Sequence, residues 1–173
     1  SQKGTVSWRD EPVIHFADLA FPTPSGQIEV ASQRWVDAGL PRAPQALMDS
    51  RPLGHRLRLL SPADVWLMNS SYANDSRIAA KLGEQTVWVH PSEAAIRALS
   101  AGQSVTLRSS AGELTVNVGL SDRVPNGVAL LPKGRWPSLD VRGANVNVLN
   151  PGEKSDLGES SAVHSVEVEL EAV

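Results

Sequence analysis

The chain has 173 residues, a formal net charge of −3 and an apolar content of 41%, which suits one compact domain with an appended segment. No apolar run approaches the roughly 20 residues that cross a bilayer, and the slight negative balance without a Lys/Arg block argues against nucleic-acid binding driven by counterion release. Cysteine is absent, which removes disulfides, zinc knuckles, iron–sulfur ligation and thiol nucleophiles.

Residues 1–50 are rich in Pro and Gly and read as an extended lead-in. Gln27-Ile28-Glu29-Val30 alternates polar and apolar and suits an edge strand after the Pro24-Ser25-Gly26 turn. Residues 31–39 suit a short helix ended by Gly39. Pro41, Pro44 and Pro52 then prevent long regular structure. From about Arg51 the pattern changes to short strands separated by turn signals. Strands are expected at Arg56–Leu60, Thr86–Val89, Ser104–Ser109, Gly112–Val118, Gly127–Leu131 and Ser165–Glu171. Ser109-Ser110-Ala111-Gly112 reads as a hairpin turn. Helices are expected over Ser76–Leu82 and, opened by Pro91 and Ser92, over Pro91–Leu99. Trp66 and Trp88 sit among aliphatic neighbours and are expected in the core. Several short strands with two small helices suit a closed or nearly closed barrel, mainly β, which removes exposed edges.

Two separated stretches carry unusual hydrogen-bonding density. Leu67-Met68-Asn69-Ser70-Ser71-Tyr72-Ala73-Asn74 follows the first strand, and Gly143-Ala144-Asn145-Val146-Asn147-Val148-Leu149-Asn150 precedes Ser155-Asp156. Asn offers donor and acceptor together and Ser offers a hydroxyl that does either, so the pair suits a large polar ligand with amide edges and phosphates. Asn, Ser and Gly equally mark turns, so neither stretch decides alone. His15, His55, His90 and His164 are scattered without helical ligand spacing. GxSxG, P-loop and GxGxxG patterns are absent. No catalytic residue and no metal ligand is therefore assigned.

From Arg51 to Val173 the chain resembles the C-terminal domain of molybdopterin oxidoreductases of the dimethyl-sulfoxide-reductase family. The resemblance rests on an ordered set of segments: Asn69-Ser70-Ser71, Val87–Ala95, Gly102–Leu114, Val124–Ala129, Gly134-Arg135-Trp136, Asn145–Leu149 and Val166–Glu169. Upstream, Phe21–Val30 resembles the segment that leads into this domain. The resemblance implies a double-psi β-barrel of six strands that helps hold a molybdenum (or tungsten) bis(molybdopterin guanine dinucleotide) cofactor. It also implies that the chain is the C-terminal part of a larger oxidoreductase, or a small subunit serving a large one. The metal's protein ligand and any iron–sulfur cluster then belong to upstream regions, and the fragment alone is expected to be inactive. Compartment stays open: a cytoplasmic location is the default, and a periplasmic one needs an export signal upstream.

On this resemblance Asn69, Ser70 and Ser71, with Tyr72 and Asn74, are expected to meet a pyrophosphate through convergent donors. Asp156 is the candidate for the N1–H and N2–H2 edge of guanine, with Asp64 and Asp75 behind it. Arg135 suits a phosphate and Trp136 a stacked or shielded ring. Asn145 and Asn147 alternate along a stretch expected to be extended, which would point both to one face; Asn147 is the preferred pterin contact. A non-enzymatic double-psi barrel that binds a protein or peptide is the rival reading. A hydrolase of aspartic-protease type is disfavoured, because Asp122 lacks the Asp-Thr/Ser-Gly motif.

Overall fold

The computed structural model describes residues 14–45, 50–155 and 158–173, and the chain divides into two units, Ser1–Asp49 and Ser50–Val173. In the first unit, α1 (Gln33–Asp37) is capped by the Ser32 hydroxyl, which accepts from the Trp35 amide. Gly39, at φ 74°, ends it as expected. The strand expected at residues 27–30 does not form, and Ile28 and Val30 stay largely exposed. Local bonds take the backbone instead. The Thr23 hydroxyl donates to the Gln27 carbonyl at 2.6 Å, and the Glu29 carboxylate accepts from the Ser25 amide at 3.0 Å.

The second unit is a closed six-stranded barrel with mixed pairing. Its strands are β1 (Leu57–Leu60), β2 (Thr86–Val89), β3 (Ser104–Arg108), β4 (Glu113–Leu120), β5 (Val128–Leu130) and β6 (Glu167–Ala172). They close in the order β1-β5-β2-β4-β3-β6. β1 runs parallel to β5 and β2 parallel to β4, while β2/β5, β3/β4, β3/β6 and β1/β6 are antiparallel. β5 is thus inserted between the first two strands of the chain, and the fold is the double-psi β-barrel. The β3–β4 hairpin turns where expected: the Ser109 hydroxyl accepts from the Ala111 and Gly112 amides.

Alternation along each strand sends one residue in two to the core. Leu57 and Leu59, Val87 and Val89, Val105 and Leu107, and Leu114, Val116 and Val118 are all buried. Fully burying each Leu contributes about 1.5–3 kcal/mol relative to exposure. Trp88 lies between two inward residues and so points outward, 40% exposed, where its ring covers Gly119. Trp66 is 45% exposed, with the Lys81 ammonium 5.7 Å from its ring centre. Neither tryptophan is in the core, contrary to expectation.

α2 (Ser76–Leu82) begins at Asp75, whose carboxylate accepts from the Arg77 and Ile78 amides. α3 (Pro91–Ile96) begins at Pro91 as expected, capped by His90, whose imidazole accepts from the Ser92 amide. It ends early: Ala98 takes a left-handed φ of 53° and the Leu99 amide turns back to the Ala94 carbonyl. Val146–Leu149 form a 3-10 helix, not the extended stretch expected. Val146 and Leu149 plug the barrel core from that helix.

Candidate functional site

Parallel pairing of β1 and β5 brings their C-terminal ends to the same end of the barrel. β6 is antiparallel to β1, so its N-terminal end lies there too. The segments after β1 and β5 continue side by side. The Leu131 amide donates to the Leu60 carbonyl, the Lys133 amide donates to the Pro62 carbonyl, and Ala63 bridges Lys133.

The Asn- and Ser-rich loop after β1 is folded on itself by a bridge between Met68 and Ser71. Asn69 and Tyr72 both take left-handed backbone, at φ 54° and 74°. Asn tolerates that region through local hydrogen bonding, whereas for Tyr it is unusual and must be held by the surroundings. Two contacts brace this loop and a third ties in the next segment. Gly134 lies so close to the Asn69 carbonyl that a Cβ would collide with it. The Trp136 indole donates to the Ser70 carbonyl at 2.6 Å. Asn145 ties the third segment in, donating from Nδ2 to the Arg135 carbonyl at 2.6 Å while its Oδ1 accepts from the Asn147 amide at 3.0 Å.

Together these segments enclose a cavity of about 300 Å³, at the low end of small-molecule sites. Leu59, Val146 and Val166 supply its apolar wall, while Ser61, Asn69, Ser70, Asn147 and Asn150 supply neutral donors and acceptors. Lys133 is the cation among its lining residues, and no carboxylate lines it among the described residues. Asn69, Ser70 and Asn147, singled out in the sequence, therefore line one cavity although Asn147 lies 77 positions beyond Ser70.

The remaining expected residues take other places. Ser71, Tyr72 and Asn74 are exposed on the same loop and do not line this cavity. Arg135 turns its guanidinium onto the end of α2, donating to the Leu82 and Gly83 carbonyls at 2.7 and 2.6 Å, a favourable position against the helix dipole. Arg135 and Trp136 line a smaller neighbouring pocket of about 130 Å³. Asn145 and Asn147 do not share one face, because the chain coils between them. Asn145 braces the loops and Asn147 lines the cavity. Asp156 lies outside the described residues. Asp64 caps the Trp66 amide. Asp75 is held down to a pKa of about 2 by its hydrogen bonds and ion pair with Arg77.

Ser61, Lys133, Gly134 and Asn150 were missed. Asn150 stood in the Asn-rich stretch, but Lys133 and Gly134 reach the cavity only through the β1/β5 register. A larger groove of about 410 Å³ lies beside Arg56, Arg108, Glu167 and Glu169. The charges of Arg56, Arg108, Glu167 and Glu169 there pair with one another or with neighbours.

Residues 57–167 match the family described as "Molydopterin dinucleotide binding domain". Among curated relatives, dimethyl sulfoxide reductase DmsA of Escherichia coli is 26% identical across 99% of this chain and 25% of its own length. Biotin sulfoxide reductase of Cereibacter sphaeroides is 32% identical across 58% of this chain and 14% of its own. The probable oxidoreductase YoaE of Bacillus subtilis is 24% identical across 88% and 22%. The solved structure of acetylene hydratase from Pelobacter acetylenicus shares the fold, with a TM-score of 0.73 at 18% identity, over 87% of this chain and 24% of that one. The chain thus spans a quarter or less of the length of these relatives.

Proposed function

Because the chain belongs to the molybdopterin dinucleotide binding domain family, we propose that the cavity at the end of its barrel holds part of that dinucleotide, as one domain of a larger molybdopterin oxidoreductase. One observation carries the reading. Asn69, Ser70, Asn147 and Asn150, drawn from two distant loops, converge on one cavity. The donor set fits the group. Neutral amides match the amide edges of a pterin or a guanine, hydroxyls match phosphate oxygens, and Gly134 lets the loop backbones approach closely.

In this reading Asn147 and Asn150 orient the ring systems and Ser70 donates to phosphate. Asn145 and Trp136 position the two loops. The surrounding Leu59, Val146 and Val166 keep that side of the cavity dry. The bound cofactor would supply the redox centre that exchanges an oxygen atom or electrons with a small substrate. We place the metal's protein ligand and any iron–sulfur cluster in other regions of the enzyme, and take the cofactor to be the bis(guanine dinucleotide) form with molybdenum or tungsten. Family membership favours this reading over a non-enzymatic peptide-binding barrel.

The test is to replace Asn147→Ala and Ser70→Ala, singly and together, in the full-length protein and to measure dinucleotide and metal per protein beside a thermal melt. A lost hydrogen bond costs about 0.5–1.5 kcal/mol, or roughly 1.5–3 with a charged partner. The double variant is expected to weaken retention by on the order of a hundredfold with an unchanged melt of the barrel. Full retention in all three variants would remove the cavity from the cofactor site.

A further inference from the structure

Lys133 is the one cation among the described residues that line the cavity beside Ser70 and Asn147. Arg56, Arg77, Arg97, Arg108 and Lys154 pair with carboxylates, and Arg135 and Arg142 donate to neutral oxygens. The Lys133 ammonium has no carboxylate or hydrogen-bond partner among the described residues, and Lys133 lines the cavity that Ser70 and Asn147 also line. Its backbone is fixed by the bridge to Ala63 and the bond to the Pro62 carbonyl, so the stem leaves the barrel at a set place. A cation beside a cavity that no described carboxylate lines offers its charge unopposed to an anionic ligand.

We infer that Lys133 is the counter-charge for the dinucleotide's pyrophosphate, and that it makes this domain select the dinucleotide over the phosphate-poor pterin alone. The inference rests on the cofactor reading above. A lysine suits the task as a point charge with three rotatable donors. The neutral side chains beside it supply direction without opposing its field.

The experiment uses the full-length protein with Lys133→Met, Lys133→Gln, Lys133→Arg and, as reference, Asn147→Ala. Dinucleotide per protein and its rate of loss after dilution are measured at low and high salt. Lys133→Met and Lys133→Gln are expected to release the dinucleotide roughly ten- to a hundredfold faster and to lose most of the salt dependence that wild type shows. Lys133→Arg should keep both. Inorganic pyrophosphate, added as a competitor, should speed loss from wild type more than from Lys133→Gln. Should Lys133→Met fail to fold, the Gln variant carries the test. Retention and salt dependence like wild type in Lys133→Gln, with loss in Asn147→Ala, would overturn the role of Lys133 and leave the cavity reading standing. Retention in Asn147→Ala as well would remove both.

Discussion

The indole N–H of Trp136 donates to the main-chain carbonyl of Ser70 at 2.6 Å, joining the loop after β5 to the loop after β1. The ring therefore acts through its N–H on a backbone that carries two cavity residues, Asn69 and Ser70. Trp136→Phe keeps the aromatic surface and deletes the donor. Its cost in global stability should be about 1 kcal/mol. The more telling change is local: amide exchange at Ser71, whose N–H closes the turn onto Met68, should quicken while barrel strands keep their protection. Equal protection in both proteins would show that the turn holds itself.

Gly134→Ala should be worse than Gly127→Ala, although both glycines have positive φ, 105° and 81°. At Gly127 an added Cβ meets open space, so only the left-handed backbone opposes it, at about 1–2 kcal/mol. At Gly134 the Cβ also meets the Asn69 carbonyl and lies 3.1 Å from Leu67 Cδ1, adding about 1–3 kcal/mol of overpacking. Chemical denaturation of the two variants gives the comparison. Equal losses would mean that the loops separate without penalty.

Glu93 ties α3 to the barrel and should make it acid-sensitive. Its carboxylate meets Arg97 at 2.6 Å and accepts from the Gly127 amide at 2.7 Å, with the two side chains only 13% and 9% exposed. Burial pushes its pKa up, but the bonds from Arg97 and Gly127 and the charges of Arg97 and His90 outweigh it, so the net shift is downward. A folded pKa below the unfolded one means stability that is fully present above the unfolded value and lost as pH falls through the folded one. Glu93→Gln should flatten that part of the acid limb in urea melts taken below about pH 4.5. Glu93→Ala leaves Arg97 without its carboxylate and should cost about 3 kcal/mol at neutral pH.

Asp75 gives a second acid-dependent contribution at a different place. Its folded pKa of about 2 comes from hydrogen bonds with Arg77, side chain and then backbone. The stabilisation of the α2 start is thus present above the ordinary carboxylate range and disappears as pH falls toward 2. Asp75→Ala should loosen α2, seen as faster amide exchange at Arg77 and Ile78, with β1 to β6 unaffected. Asp75→Asn, which keeps a capping oxygen, should restore most of the protection. Identical exchange in all three proteins would show that α2 is held by packing alone.

The strands were legible because alternation of Leu and Val with polar residues has a period of two whatever the partner strand is, and the Ser109–Gly112 turn is local chemistry. The Asn–Ser loops were legible for the same reason: their density of short polar side chains is a property of the sequence. The reach of Lys133 and Gly134 into the cavity was not, since it depends on β5 lying parallel beside β1, a pairing of residues 70 apart in sequence such as Arg58 and Val128. Which parity of β2 faces inward was equally hidden, because Val87-Trp88-Val89 is apolar throughout and only barrel closure chose the two valines. The strand expected at residues 27–30 failed for the converse reason, since an alternating pattern becomes a strand only where a neighbour supplies the ladder. Periodicity and side-chain chemistry act over a few residues and are written in the chain; register, facing and convergence arise from long-range hydrogen bonding and core closure, which only the folded barrel decides.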